Sequence, residues 1–195
     1  MTHTVGIAIV VLSAIAARPG NTTSESSIDV RQVVAEWPDR FDLHGTKTEP
    51  TWVEQVGLQR RGDVFRLEGG GLPGLEQTTE SVSVSSEGAI RHLDCPAQRD
   101  CNDGQPLAGF LASAQILAAH RAGRLHGEAR VVPYGDRHVF CIAGEMIGVR
   151  EPILDPCFDL ATGAVLAQRH RSDGSWSGPS LDQATIRFVA PSSEP

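Results

Sequence analysis

The sequence predicts an α+β domain built on antiparallel strands. Three observations lead there. Runs rich in β-branched and aromatic residues, separated by short Gly-containing turns, gather into two blocks of about five strands each. A long apolar stretch with 3–4 spacing, Asp103 to Ala122, stands between the blocks, and a shorter one precedes the first. No internal repeat or linker divides the chain. Strand blocks joined by short turns, with helices set apart, mark α+β domains.

The 195 residues fit one domain, assigned to residues 27–190. With 40% hydrophobic and 21% charged residues, the chain can bury a core and is not globally disordered. Its net charge is −7, and arginine carries almost all the positive charge. Such a chain is not expected to bind nucleic acid, because phosphate neutralisation needs clustered Lys and Arg. The cluster Arg169-His170-Arg171 reads as a solvated strand end.

Val5 to Ala17 is an uncharged apolar run, too short for a membrane-spanning helix, which needs ~20 residues. It suits the apolar centre of a secretory signal peptide, and Ala14-Ile15-Ala16 has the form of a cleavage site. Residues 1–16 are therefore assigned to a signal peptide and 17–26 to a flexible tether. Met1-Thr2-His3-Thr4 lacks the usual basic charge, so a buried N-terminal strand is the alternative. No other segment is apolar enough to cross a membrane as a helix. The expected location is outside the cytoplasm: cell envelope, periplasm or medium.

Ser26 stands three before Asp29 in capping-box form. Ile28, Val30, Val33, Val34 and Trp37 keep helical spacing until Pro38, giving a helix of about ten residues. Phe41 and Leu43, then Trp52 to Arg60, read as strands. Val64 to Glu68 returns through Arg61-Gly62-Asp63 as a hairpin. Next comes a Gly-rich stretch, and Gly69, Gly70, Gly71 and Gly74 are assigned to a mobile loop. No Lys follows it and a strand-like segment does, so phosphate binding is not indicated. Val82 and Val84 alternate with serines, Glu87-Gly88 turns, and Ala89 to Asp94 runs back.

The long helix can be capped by Asp103, with Pro106 in its first turn and Gly123 at its end. About eighteen residues at ~1.5 Å each would span ~27 Å, enough to cross a sheet. Its stripe of Leu107, Phe110, Leu111, Ala114, Leu117 and Ala118 packs as core or lines part of a cavity. The second block is a meander of Arg137 to Ala143, Cys157 to Leu160 and Ala164 to Arg171. Ala184 to Val189 alternates as the final strand.

Four cysteines in a chain with an export signal favour disulfides. Cys95 and Cys101 would close a short loop. Cys141 and Cys157 would face each other in a hairpin folded about its midpoint, Val149. Zinc is the alternative, but close Cys-x-x-Cys spacing is missing. No metal or other cofactor is expected. Nor does the chain carry Gly-x-Ser-x-Gly, His-Glu-x-x-His or a P-loop. Glu145, Glu151 and Asp155 can gather near the loop after Met146, the one hint of acid–base chemistry. No catalytic residue is assigned, and an enzyme is not expected.

The order of elements, with Val56-Gly57-Leu58-Gln59-Arg60-Arg61-Gly62-Asp63-Val64-Phe65-Arg66 in its first block, resembles the LolA-like superfamily of bacterial lipoprotein and lipid carriers. The ending Phe140-Cys141, then Cys157-Phe158-Asp159-Leu160-Ala161-Thr162-Gly163-Ala164-Val165-Leu166, is similar to exported actinobacterial lipid-transfer lipoproteins. The resemblance implies a curved antiparallel sheet, an open half-barrel, covered on its concave face by one long and one short helix. An apolar cavity between sheet and helices would then hold an acyl chain. Its lining would be Val56, Leu58, Phe65, Leu67, Val82, Val84, Phe110, Leu117, Phe140 and Ile186. Burial of each CH₂ would contribute ~0.8 kcal/mol. The chain departs from the lipoprotein pattern in having no cysteine near Ala16 for a lipid anchor. Two functional expectations follow. One is an exported carrier of a lipid or lipoprotein acyl chain. The other is an exported module with a filled core that binds another protein.

Overall fold

A computed structural model describes residues 26–49, 51–70, 78–96, 101, 107, 109–149, 153–177 and 180–189. In chain order it forms β1 (Ser27–Asp29), α1 (Val30–Glu36), β2 (Arg40–Glu49), β3 (Trp52–Arg61), β4 (Val64–Gly70), β5 (Thr78–Val84) and β6 (Ile90–Asp94). A 3-10 turn (Gly109–Leu111) leads into α2 (Ala112–Arg121). Then come β7 (Glu128–Tyr134), β8 (Arg137–Cys141), a second 3-10 turn (Gly144–Ile147), β9 (Leu154–Asp159), β10 (Val165–His170), β11 (Trp176–Ser177) and β12 (Arg187–Val189). Residues 1–25, assigned from sequence to the signal peptide and most of the tether, lie outside the described residues.

Hydrogen bonding sorts the strands into two antiparallel six-stranded sheets. Sheet A has the order β1-β7-β8-β9-β10-β11, and sheet B the order β12-β2-β3-β4-β5-β6. Sheet B is a meander of hairpins. Phe41 stands opposite Arg60, and Leu43 opposite Leu58, which is in turn opposite Leu67. The β3–β4 turn falls at Gly62-Asp63, where Gly62 takes a φ of 59°. The ends of the chain are exchanged between the sheets. β1 pairs with β7, Ser27 opposite Arg130, while β12 pairs with β2, Arg187 opposite His44.

The short helix begins later than the sequence suggested. Asp29 is its N-cap, and its carboxylate accepts from the backbone N–H groups of Arg31 (2.9 Å) and Gln32 (3.1 Å). Ile28 belongs to β1 instead.

The half-barrel roofed by a long helix is overturned, as is the α+β assignment. The protein is mostly β, with two short helices among the described residues. α2 has ten residues, about 15 Å of helix, so it does not cross a sheet of six strands as a lid. The physical reason is that it has no solvent face. Ser113 and Gln115 are enclosed along with Ala112, Ala114, Ile116, Leu117, Ala118 and Ala119. A helix apolar or small on every side belongs inside a core rather than over an open surface. One side packs on β4, β5 and β6. Toward sheet A, Ser113 Oγ accepts from the Val165 backbone N–H at 3.0 Å. The expected cap Asp103 and first-turn Pro106 lie outside the described residues.

Arg121 fastens the last turn of α2 to sheet B. Its guanidinium donates to the carbonyls of Val84 (2.6 Å) and Ser85 (3.2 Å) and pairs with Asp63. The β5–β6 turn lies against the same helix end. A Cβ at Gly88 would come within 2.3 Å of the Ala118 carbonyl oxygen.

Candidate functional site

The turn between β9 and β10 gathers polar contacts around a buried carboxyl. Asp159 is 1% exposed. Its carboxylate accepts from the Thr162 backbone N–H (3.0 Å) and hydroxyl (2.7 Å), closing an Asx-type turn. The Asp159 carbonyl accepts from Gly163 N–H at 2.9 Å, and its own N–H donates to Ala164 at 2.8 Å. Gly163 is required twice over. Its φ is 78°, and a Cβ would lie 2.4 Å from the Trp37 ring. Trp37 caps the turn, its indole N–H donating to the Leu160 carbonyl at 3.1 Å. The same ring stacks near Phe140 (6.0 Å) and Phe158 (6.1 Å). The Cys-x-Asp-x-x-x-Gly pattern is thus explained by the fold of one tight turn.

Beside this turn, the β7–β8 hairpin presents Asp136, Arg137 and His138. An open recess of about 360 Å³ is lined by Asp136, Arg137, His138, Asp159, Leu160 and Ala161. A second, of about 330 Å³, is lined by Gly135, Asp136, Gln183, Ala184 and Arg187. Asp136 borders both recesses, and the pair is termed the seam groove. The second recess lies at the seam between the sheets, because Gly135 and Asp136 belong to the β7–β8 turn of sheet A and Arg187 lies on β12 of sheet B. Arg137 spans that seam. One guanidinium nitrogen is 3.8 Å from Asp159, and its Cζ sits 4.3 Å from the Phe188 ring centroid. Burial pushes the Asp159 carboxyl above its ordinary range, against the opposing pull of Thr162 and Arg137. Below the seam, Tyr134 donates its hydroxyl to the Leu181 carbonyl. Burial raises this phenol to about 12. The groove therefore offers charge and hydrogen bonds, without an activated nucleophile among its lining residues.

The carboxylates suggested by sequence do gather, but around an arginine. Arg171 makes two 2.8 Å bonds to Glu145 and further bonds to Asp155 at 2.5 and 3.1 Å. Its side-chain hydrogen bonds hold Glu145 down at about 2. A carboxyl so firmly ionised is a poor proton donor at neutral pH. Glu151 lies outside the described residues.

The bridges join Cys95 to Cys101 and Cys141 to Cys157. The proposed cavity residues are all placed in or against one hydrophobic cluster. Val56 and Leu58 come from β3, Phe65 and Leu67 from β4, and Val82 and Val84 from β5. Phe110 lies in the first 3-10 turn, Leu117 on α2, Phe140 on β8, and Ile186 just before β12. Leu58, Val82 and Phe140 have 0% accessible surface, and Leu67 is partly buried. Gly69 and Gly70 end β4, paired across from Val56 and Gln55. Gly71 and Gly74 lie outside the described residues.

The groove residues Asp136, Arg137 and Arg187 were not singled out from sequence. Each is an ordinary charged residue at or beside a strand end, and the pairing of β12 with β2 is what brings Arg187 to Asp136 and Arg137. No helix among the described residues is long and apolar enough to cross a membrane. Comparisons with protein-family models, curated proteins and solved structures return no match for this chain.

Proposed function

We propose that this chain is an exported, non-catalytic module that binds another protein through the groove at the sheet seam. The observation that supports this reading is how little surface the expected cavity lining exposes. A void wide enough for an acyl chain would give its walls accessible surface. Leu58, Val82 and Phe140, central to the expected cavity, have none. Two disulfides support a life outside the reducing cytoplasm. The recesses bring Leu160 and Ala161 together with Arg137, His138 and Arg187, and Asp136 stands between the two. A partner loop carrying a carboxylate fits that chemistry.

Native mass spectrometry before and after organic extraction tests the filled core. The expected mass is that of the polypeptide less the hydrogens of two disulfides. A lipid-sized mass lost on extraction would replace this reading with the carrier reading. The groove is tested by a photo-crosslinking residue at Asp136 in the source cells. One polypeptide adduct, abolished by Arg187→Glu, is expected. An adduct indifferent to that change, or none, rules out this groove as the docking surface.

A further inference from the structure

The outer edge of sheet B turns two ionisable side chains into the protein. Val82 stands opposite His92, but Ser81 stands opposite Asp94, so the register slips by one at Leu93. A bulge of this kind re-aims the side chains around it. Asp94 accepts from the Ser81 hydroxyl at 2.7 Å, and Leu93 is left 48% exposed. His92 stays across from core residue Val82, beside Glu80. The two side chains are only 7% and 3% exposed, with His92 Nε2 3.5 Å from Glu80 Oε1. Cys101 completes the group. One ligand atom each from Glu80, His92 and Cys101 all lie within 4.8 Å of one another.

Carboxylate, imidazole and thiolate are the donors that zinc takes. Bonds of ~2.0–2.3 Å in a tetrahedral site place ligand atoms roughly 3.3–3.8 Å apart. The Glu80–His92 spacing already has that value. Cys101 needs to close by no more than ~1.5 Å, within reach of a side-chain rotation. In the disulfide its sulfur is bonded to Cys95 and is a poor ligand. As a thiolate it is a strong one. Cys95 is exposed and Cys101 half-buried, so a dithiol reaches this bridge more readily than the other, where Cys141 is half-buried and Cys157 is 0% exposed.

We propose that the Cys95–Cys101 disulfide is a redox latch on a divalent-metal site formed by Glu80, His92 and Cys101. A dithiol breaks the S–S bond by thiolate attack through a mixed disulfide and is itself oxidised to a disulfide. The bridge gains two electrons and two protons, giving two thiols. Cys101 then releases its proton to solvent as it binds the cation. Three protein ligands leave the fourth position to water.

Cobalt(II) is the probe, because thiolate ligation gives it an intense charge-transfer absorption. The full chain is compared oxidised and after phosphine reduction to two thiols per chain, mapped to Cys95 and Cys101. One equivalent of cobalt should bind the reduced chain with the thiolate band, and zinc should displace it. The oxidised chain should show no band. His92→Ala and Glu80→Gln should each weaken binding by more than about tenfold, since even outer-shell partners of a metal are worth that much. Cys95→Ser leaves Cys101 a free thiol with the other bridge intact, and it should bind cobalt without any reductant. No band in either the reduced chain or Cys95→Ser overturns the proposal. So does a band whose affinity survives His92→Ala.

Discussion

The two disulfides sit in opposite settings. Cys141 and Cys157 are directly opposed on neighbouring strands β8 and β9 of sheet A, where the covalent bond fixes a register already set by hydrogen bonds. Phe140 and Phe158, the residues next to it in the two strands, face the other way and stack with Trp37. Cys95 and Cys101 follow β6, the outermost strand of sheet B, where the register slips and acid, imidazole and sulfur meet. The same bond serves mechanics in one place and chemistry in the other. Burial and neighbours distinguish them, since both are ordinary cystines.

That contrast can be broken by removing each bridge. Cys141→Ala with Cys157→Ala should cost about 3 kcal/mol from the freed loop alone, and more from the lost packing. Urea unfolding should show it. The next effect also falls in sheet A. Gly163→Ala drives a methyl into Trp37 at a positive φ and should cost about 2–3 kcal/mol. Gly62→Ala in sheet B has a similar φ but nothing within 4 Å, so about 1 kcal/mol is expected. Equal losses at the two glycines would refute the idea that packing on Trp37, rather than backbone strain, fixes the β9–β10 turn. Cys95→Ser with Cys101→Ser closes a smaller loop in the wild type and should cost about 2 kcal/mol, less than its buried counterpart.

Acid titration sharpens the comparison within sheet A itself. Arg171 holds Glu145 at about 2, below its ordinary 4.5. A lowered folded-state value stabilises above the unfolded value and is lost as pH falls through the folded one. The urea-midpoint difference between wild type and Glu145→Gln should therefore shrink as pH drops from 4.5 toward 2. Asp159 carries the reverse sign, because burial raises it from 3.8. Its ionisation opposes folding once pH rises above that value. Asp159→Asn should accordingly look more favourable, relative to wild type, at pH 7 than at pH 3. Parallel titrations would contradict the burial assigned to Asp159. The smallest change belongs to the bulge. Leu93→Thr, on an exposed side chain, should stay within about 0.5 kcal/mol.

Hairpins were legible because their signals are local. Arg61-Gly62-Asp63 marks a turn wherever it sits, and counting to Val149 was enough to oppose Cys141 and Cys157. Layering was not legible. The 3–4 spacing of Phe110, Leu111, Ala114 and Leu117 reports one buried face, and it is silent about whether Ser113 and Gln115 are buried too. They are, and that turns an expected lid into a core helix. The seam groove was hidden for a related reason. Nothing in Arg187-Phe188-Val189 announces a partner 145 residues earlier, at His44-Leu43-Asp42. The bulge at Leu93 was hidden because alternation counted along β6 alone cannot show a slip against β5.

The exchange of chain ends has a consequence for the order of events in synthesis. Most of sheet B comes from residues before 95, yet its edge strand β12 is nearly the last described segment made. Sheet A draws on the first, β1, which must wait about a hundred residues for β7. A ribosome delivers the chain N-terminus first, so neither sheet can be completed on a partial product. Each sheet lacks one edge pairing until the later of the two strands in that pair has been made. A chain cut between β6 and α2 should for the same reason elute as one particle in gel filtration, since each fragment keeps a strand in the other's sheet.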